Sequence, residues 1–421
     1  MMLHTLYRTL WYFAPALIRR YLRRRAKKAP AYLEHWGERF GEPLANPVLH
    51  PIWIHAVSVG ETRAAQPLIT ELRQYFPDAP LLLTQMTPTG RATAQNLFPD
   101  AQCRYLPYDK PAYVRQFLNE HRPRFGILME TEIWPNLMNT CRKENIPLFL
   151  ANARLSEKSQ QGYLKIRPLV ASALKGLSGC YAQTAADAER LHFIGASHVH
   201  VCGNSKYDIT PPLEMSHLAE TFRQHIGERP VVVCASTRDH QGVDEAELLL
   251  NAWRSYKGDA LLVIVPRHPE RFQTAYDSAI RYGFRTQKRS EEQKVAADTQ
   301  VWIGDSMGEM FAYYLAADIA FVGGSLVNTG SQNIIEPIAC KLPTLFGPST
   351  YNFTEAASGA LAAGAAVQIP NAEEWRQTVS DWLAHPEKMR PYQEQAESFI
   401  NKHRGASKRM AERIAEALEA V

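Results

Sequence analysis

A carboxylate placed directly after a strand and a single glycine is the first candidate for chemistry. In Pro51–Thr62, PIWIHAVSVGET, an apolar run (Ile52, Trp53, Ile54) continues through Val57 and Val59 to Gly60, and Glu61 follows at once. Ala64, Ala65, Leu68, Ile69 and Leu72 then recur at helical spacing, which predicts Glu61 at a helix N-terminus. In a parallel α/β sheet that is the carboxyl end of a strand, where ligands bind. The helix dipole favours the ionised acid there, and an anion held ready in a cleft can act as a general base. The competing reading is an acidic residue that only caps its helix.

The second half carries the denser signal. In Phe321–Pro348, FVGGSLVNTGSQNIIEPIACKLPTLFGP, a strand ends in Gly323-Gly324, a second turn contains Gly330, and Asn333 opens a helix bearing Glu336. Glycines let backbone amides approach an anion closely, and a helix start adds donors. Glu336 can accept from ribose hydroxyls. The pattern is neither a Walker P-loop nor G-x-G-x-x-G after a first strand, and a turn needed only for geometry is the alternative. Two further loops follow apolar strands. IVPRHP (Ile264–Pro269) places Arg267 and His268 at a strand end, and an arginine there suits a phosphate. GDSMGE (Gly304–Glu309) sets Ser306-Met307-Gly308 as a helix opening, with amides for a nucleobase edge or phosphate, or plain capping by Asp305 or Ser306.

In the first half, Glu130 and Glu132 lie two apart at a strand end, so in extended chain they share a face. Paired acids suit glycosidic chemistry, and a structural pair is the alternative. Lys206, after Gly203-Asn204, falls near a domain junction or is a surface lysine. No H-E-x-x-H, paired C-x-x-C or D-x-D pattern occurs, so the sequence points to no metal.

These loops need strands to hold them. Leu81–Met86, Phe125–Met129, Ile146–Ala151 and His200–Cys202 alternate with helical stretches, as parallel strands with crossover helices do. Asp208–Pro230, with Pro211-Pro212 and no strand pattern, is the linker candidate. A second series follows: Val231–Ala235, Ala260–Val265, Gln300–Ile303, Asp318–Val322 and Pro343–Phe346. The chain therefore reads as two wound α/β halves with a cleft between them. Ser407–Val421 is amphipathic, with Met410, Ile414 and Leu418 on one face.

The 421 residues suffice for two cores, and 45% hydrophobic with 21% charged residues excludes wholesale disorder. Net charge is +4, but residues 1–28 carry eight Lys and Arg with no acid, leaving the rest at −4. That distribution argues against a nucleic-acid binder and for one local contact with an anionic surface. Leu10–Ile18, LWYFAPALI, is too short to span a bilayer. It predicts an interfacial helix on the cytoplasmic leaflet, with Trp11, Tyr12 and Phe13 at headgroup level and Arg19, Arg20, Arg23, Arg24 and Arg25 reaching anionic lipid. A helix packed on the protein body is the alternative. Six scattered cysteines fit a reduced cytosolic setting rather than disulfides or zinc.

Taken together, HAVSVGE (His55–Glu61), TPTG (Thr87–Gly90), METEIWPN (Met129–Asn136), NARLS (Asn152–Ser156), VPRHPERF (Val265–Phe272), GDSMGE, FVGGSLV and GSQNIIEP resemble the 3-deoxy-D-manno-octulosonate (Kdo) transferases. KAPAYLEHWGERFG (Lys28–Gly41) also resembles the family's segment after the basic end. The match runs in order over nearly the whole chain. It implies a GT-B glycosyltransferase of two Rossmann-like domains facing across a cleft, with an N-terminal membrane-associated helix. The segments would be 1–28 for membrane attachment, 29–210 for the acceptor, 211–400 for the CMP-sugar, and 401–421 as a helix returning to the first domain. The donor would be CMP-Kdo, the acceptor the lipid A precursor lipid IVA, and the place the cytoplasmic face of the inner membrane. Transfer would invert, with Glu61 as general base and no metal or cofactor. CMP contacts carry over to Pro266 and Arg267, to Met307, Gly308 and Glu309, and to Asn333, Ile334, Ile335 and Glu336. Gln332 stands where the family often has His. Other readings are another inverting GT-B enzyme acting on a membrane lipid, or a non-catalytic nucleotide-binding membrane protein, for which Glu61 would be dispensable.

Overall fold

The computed structural model describes residues 2–27 and 29–419 and divides into two compact units. Lys28 of the basic segment and the last two residues of the terminal helix, read above as reaching Val421, lie outside the described residues.

The first unit comprises residues 1–208 and 403–421. Its strands are Ile52–His55 (β1), Leu81–Gln85 (β2), Gln102–Tyr105 (β3), Phe125–Met129 (β4), Leu148–Ala153 (β5), Gly179–Ala182 (β6) and Val199–Val201 (β7). They form one parallel sheet in the order β3-β2-β1-β4-β5-β6-β7, with Ile52 opposite both Leu81 and Phe125. Alternation sends Ile54, Leu83 and Ile127 to one face and Trp53, Leu82 and Leu128 to the other. Gly126 has to be glycine, because a Cβ there would sit 2.5 Å from the Trp53 ring. The chain order reverses between β1 and β4, a topological switch point where ligands bind.

On the first face, Leu68 and Leu72 of the Val59–Tyr75 helix meet Met410 and Ile414 of the terminal Ala406–Glu419 helix. Asp208 accepts from the Gly405 and Ser407 amides, each at 2.6 Å, and so satisfies free donors at that helix start.

The Met2–Ala26 helix packs on this unit through one side. Trp11 stacks on Tyr108, Leu22 and Ala26 bury against Tyr32 and Phe40, and Tyr7 bonds Asp109. This corrects the expectation for Trp11, whose ring turns toward the body rather than toward a headgroup. The Arg19, Arg23 and Arg25 guanidinium groups lie over the Phe40, Trp36 and Tyr32 rings, at 4.3, 5.7 and 4.3 Å. Arg19 is half-buried, whereas Arg20, Arg23, Arg24 and Arg25 are all exposed. Leu3, Leu6, Leu10, Phe13, Leu17 and Tyr21 recur every three or four residues and are all exposed, an apolar stripe on a helix whose other side is covered. Among the described residues no helix is long and apolar enough to cross a membrane.

The second unit, Ile209–Lys402, has strands Val231–Thr237 (β8), Asp239–His240 (β9), Val243–Asp244 (β10), Leu261–Pro266 (β11), Thr286–Lys288 (β12), Val301–Ile303 (β13), Ile319–Val322 (β14), Thr344–Phe346 (β15) and Ala366–Gln368 (β16). Strands β9 and β10 pair with each other, and the rest form a parallel sheet in the order β12-β13-β11-β8-β14-β15-β16. Its switch point lies between β8 and β14. The expected linker is partly helical: Leu213–Ile226 forms a helix whose Ala219, Phe222 and Ile226 are buried. Their helical spacing is readable, but Pro211-Pro212 and the polar residues around them obscure it. Phe222 stacks edge-on to Trp302, 5.1 Å away.

Candidate functional site

In the first unit, Glu61 lies in the first turn of the Val59–Tyr75 helix, directly beyond β1. Its Oε2 accepts from the Val57 amide at 2.7 Å and its Oε1 from the Ser58 hydroxyl at 3.2 Å. Both donors belong to residues just before the helix, and these bonds fix the carboxylate at the switch point. The sequence reading expects the helix terminus to favour the ionised acid. The structure reverses that balance: burial, with a smaller push from the Glu130 and Glu132 charges, raises it to about 7 against the pull of the Val57 amide. Glu61 thus exchanges its proton near neutrality, which suits a general base.

Glu130 and Glu132 follow β4, the other side of the switch point. Glu130 is in the left-handed region, with φ of 57°, so extended alternation does not place the two acids. Each has its own partners instead. Glu130 is held by Lys206 Nζ at 2.9 Å and Arg154 Nε at 3.3 Å. Glu132 accepts from Trp134 Nε1 at 2.6 Å, and burial raises its carboxyl. The Trp134 ring stands edge-on to His55, which burial keeps neutral, with its value down at about 3. Lys206 is the counter-charge of Glu130 and not a free surface lysine. Sequence reasoning missed Arg154, whose signal was its place directly after β5, as Glu61 and Glu130 follow β1 and β4.

In the second unit the expected donor residues stand beyond the carboxyl ends of β11, β13 and β14. Pro266 ends β11, and the Arg267 amide bonds the Thr237 carbonyl at 3.0 Å, joining the β8 and β11 loops. Burial and the nearby Arg238 charge lower His268. The helix after β13 opens at Glu309 and not at Ser306, since Ser306 turns its hydroxyl to Glu309 at 2.6 Å. Glu309 also pairs with Arg289 at 3.2 Å, Met307 is exposed, and Gly308 has φ of 85°. Asp305 accepts from Ser290. Asn333 Oδ1 accepts from the Ile335 amide at 3.1 Å, and its Nδ2 donates to Glu336 at 3.1 Å. The Ile334 and Ile335 side chains are buried, so only their main chain can meet a ligand.

The Gly323-Gly324 turn departs from expectation. Its amides do not await an external anion, because the buried carboxylate of Glu245 occupies them. Glu245 accepts from the Gly324, Ser325 and Leu326 amides at 2.5, 3.1 and 2.8 Å. Glu245 was not read from the sequence. Its signal was an acid opening a helix with apolar residues at Ala246, Leu249, Leu250 and Trp253. Among the described residues, no group of three or more His, Cys, Asp or Glu is placed to hold a metal.

Two helix-wound parallel sheets, each with its polar side chains collected at strand carboxyl ends, are the GT-B fold. Solved structures agree on the fold. UDP-GlcNAc 2-epimerase from Neisseria meningitidis superposes on 89% of this chain and 100% of its own, at 13% identity and a TM-score of 0.55. A glycosyltransferase from Rickettsia africae matches 87% of this chain and 98% of its own, also at 13% identity and 0.55. The profile of the family described as 3-Deoxy-D-manno-octulosonic-acid transferase (kdotransferase) matches residues 34–209. The 3-deoxy-D-manno-octulosonic acid transferase of Bordetella pertussis is 40% identical over 90% of both chains, and that of Haemophilus influenzae 38% over 78% of both. The chain belongs to the 3-deoxy-D-manno-octulosonic acid transferase family, glycosyltransferases of lipopolysaccharide biosynthesis.

Proposed function

We propose that this enzyme transfers Kdo from CMP-Kdo to lipid IVA with inversion, using Glu61 as general base. The observation that carries the reading is Glu61 itself, a carboxylate fixed at the switch point beyond β1 and poised near neutrality. Ionised Glu61 takes the proton of the attacking acceptor hydroxyl as the bond to the anomeric carbon forms. The bond from that carbon to the CMP oxygen breaks, and the leaving phosphate takes the electron pair. A single displacement of this kind inverts the anomeric centre. Positive charge develops on the sugar ring and negative charge on the phosphate, where Arg267 supplies an opposite charge.

On this reading the first unit binds the acceptor and the second binds the donor nucleotide through Arg267, Glu309 and the Asn333–Glu336 segment. A leaving monophosphate carries less charge than a diphosphate, and the reaction runs without a metal. The exposed stripe of the Met2–Ala26 helix lies against the cytoplasmic face of the inner membrane, with Arg20 and Arg24 beside anionic headgroups. The test is incubation of the full chain with CMP-Kdo and lipid IVA, with products read by mass spectrometry and anomeric configuration by NMR. A product heavier by one or more Kdo, with inverted configuration, supports the proposal. Absence of any Kdo-bearing product overturns the donor and acceptor assignment, and a retained configuration overturns the single displacement.

A further inference from the structure

The Glu245 carboxylate is buried and, among the described residues, accepts from four backbone amides: Arg238 beyond β8 at 3.1 Å, and Gly324, Ser325 and Leu326 beyond β14. These two strands flank the switch point of the second unit. The loops they end in are conformationally demanding. Ser236 has φ of 54° and Gly324 has φ of 71°, and a Cβ on Gly323 would lie 2.7 Å from the Ser236 carbonyl oxygen. Glu245 thus ties together two loops that cannot relax by taking on ordinary side chains.

The consequence follows from peptide planarity. The plane that gives its Gly324 N–H to Glu245 presents the Gly323 carbonyl on its other edge, which accepts from the Gln332 amide at 3.0 Å. The next plane gives its Ser325 N–H to Glu245 and presents the Gly324 carbonyl. That carbonyl accepts from the Ser331 amide at 2.8 Å and the Thr329 hydroxyl at 2.9 Å. Two rigid planes therefore carry the anion on one edge and the Ser331–Gln332 segment on the other. Asn333 and Glu336 follow directly from that segment.

We propose that Glu245 is a positioning residue for the donor site: its carboxylate orients the two peptide planes from which the Ser331–Glu336 segment is hung. The inference rests on the reading that this segment meets the CMP-sugar. Glutamine at 245 has the same shape but one acceptor oxygen, and its amide group would turn N–H donors toward N–H donors. Aspartate keeps the charge but is one methylene shorter.

The test measures transfer by the full chain in anionic lipid vesicles, with separate saturation curves for CMP-Kdo and lipid IVA. Wild type is compared with Glu245→Gln, Glu245→Asp and Asn333→Ala. The expected result for Glu245→Gln is a donor KM raised about tenfold or more, from the loss of bonds to a charged group, with acceptor KM within about twofold of wild type. Glu245→Asp falls between and carries the test alone if the glutamine variant does not fold. A donor KM unchanged in both Glu245 variants, while Asn333→Ala raises it, overturns the positioning role and leaves the donor site standing. Equal rises in donor and acceptor KM overturn it also, as general damage. An unchanged donor KM in Asn333→Ala removes the donor reading of the segment, and the inference falls with it.

Discussion

The Tyr7 hydroxyl donates to Asp109 Oδ2 at 2.8 Å, so the first helix is bonded to a buried carboxyl group. The same carboxylate accepts from the Asn136 and Leu137 amides at 2.9 and 2.8 Å and caps the Pro135–Lys143 helix. That helix begins one residue after Trp134, the donor to Glu132. A covalent and hydrogen-bonded path thus runs from the N-terminal helix to Glu132.

Tyr7→Phe keeps the ring and removes one hydrogen bond to a buried carboxyl group. The expected loss of stability is about 1–3 kcal/mol, with Tyr12→Phe, at an exposed ring, unchanged. Burial raises Asp109 to about 7, against its three donors. The folded chain therefore keeps a proton that the unfolded chain releases near 4. The stability this contributes is complete below about pH 4 and is lost as pH rises through about 7. Asp109→Asn removes that share of the slope, and urea unfolding across pH 4–8 measures it.

Glu61 predicts the shape of the pH–rate profile. As a base it works ionised, so kcat/KM rises with pH through about 7 and is level above. The Glu130 charge contributes to that elevation, so Glu130→Gln moves the midpoint of the limb to lower pH, whatever it does to the plateau. A midpoint that stays in place, or moves up, contradicts the coupling.

The apolar stripe predicts where the chain touches lipid. Replacing Leu10, Phe13 and Leu17, all exposed, by serine abolishes co-flotation with anionic vesicles and leaves the unfolding midpoint near wild type. Trp11→Ser instead destabilises the fold, because it removes the stack on Tyr108. Flotation of the triple variant at wild-type level contradicts the membrane-facing assignment.

Metal removal separates charge neutralisation by protein from neutralisation by an ion. Transfer after dialysis against EDTA is expected to equal that before it. Loss of transfer with rescue by magnesium contradicts the metal-free reading.

Much of the fold is legible in the sequence, because buried parallel strands are short apolar runs that end in polar loops. The runs at Phe125–Met129 and Ile319–Val322 are examples. The motif loops therefore fall at strand ends in each unit. What is not legible are contacts between segments distant in sequence. Glu245 and Gly324 are bonded across 79 positions and Tyr7 and Asp109 across 102, and no local spacing announces either. The same holds for Trp11, whose amphipathic setting shows two usable faces but not which one the protein covers. For Glu61, position in a first turn is local, whereas the burial that raises its carboxyl depends on the loops around it.

The most direct test of the account is transfer from CMP-Kdo to lipid IVA by wild type and by Glu61→Gln, quantified by mass spectrometry at pH 8, with folding verified by circular dichroism. The account predicts Kdo-bearing product from the wild type and a drop of about 10²-fold or more in the folded variant, the loss expected for a general base. Equal product from both would contradict Glu61 as the base and leave it only its bonds to Val57 and Ser58.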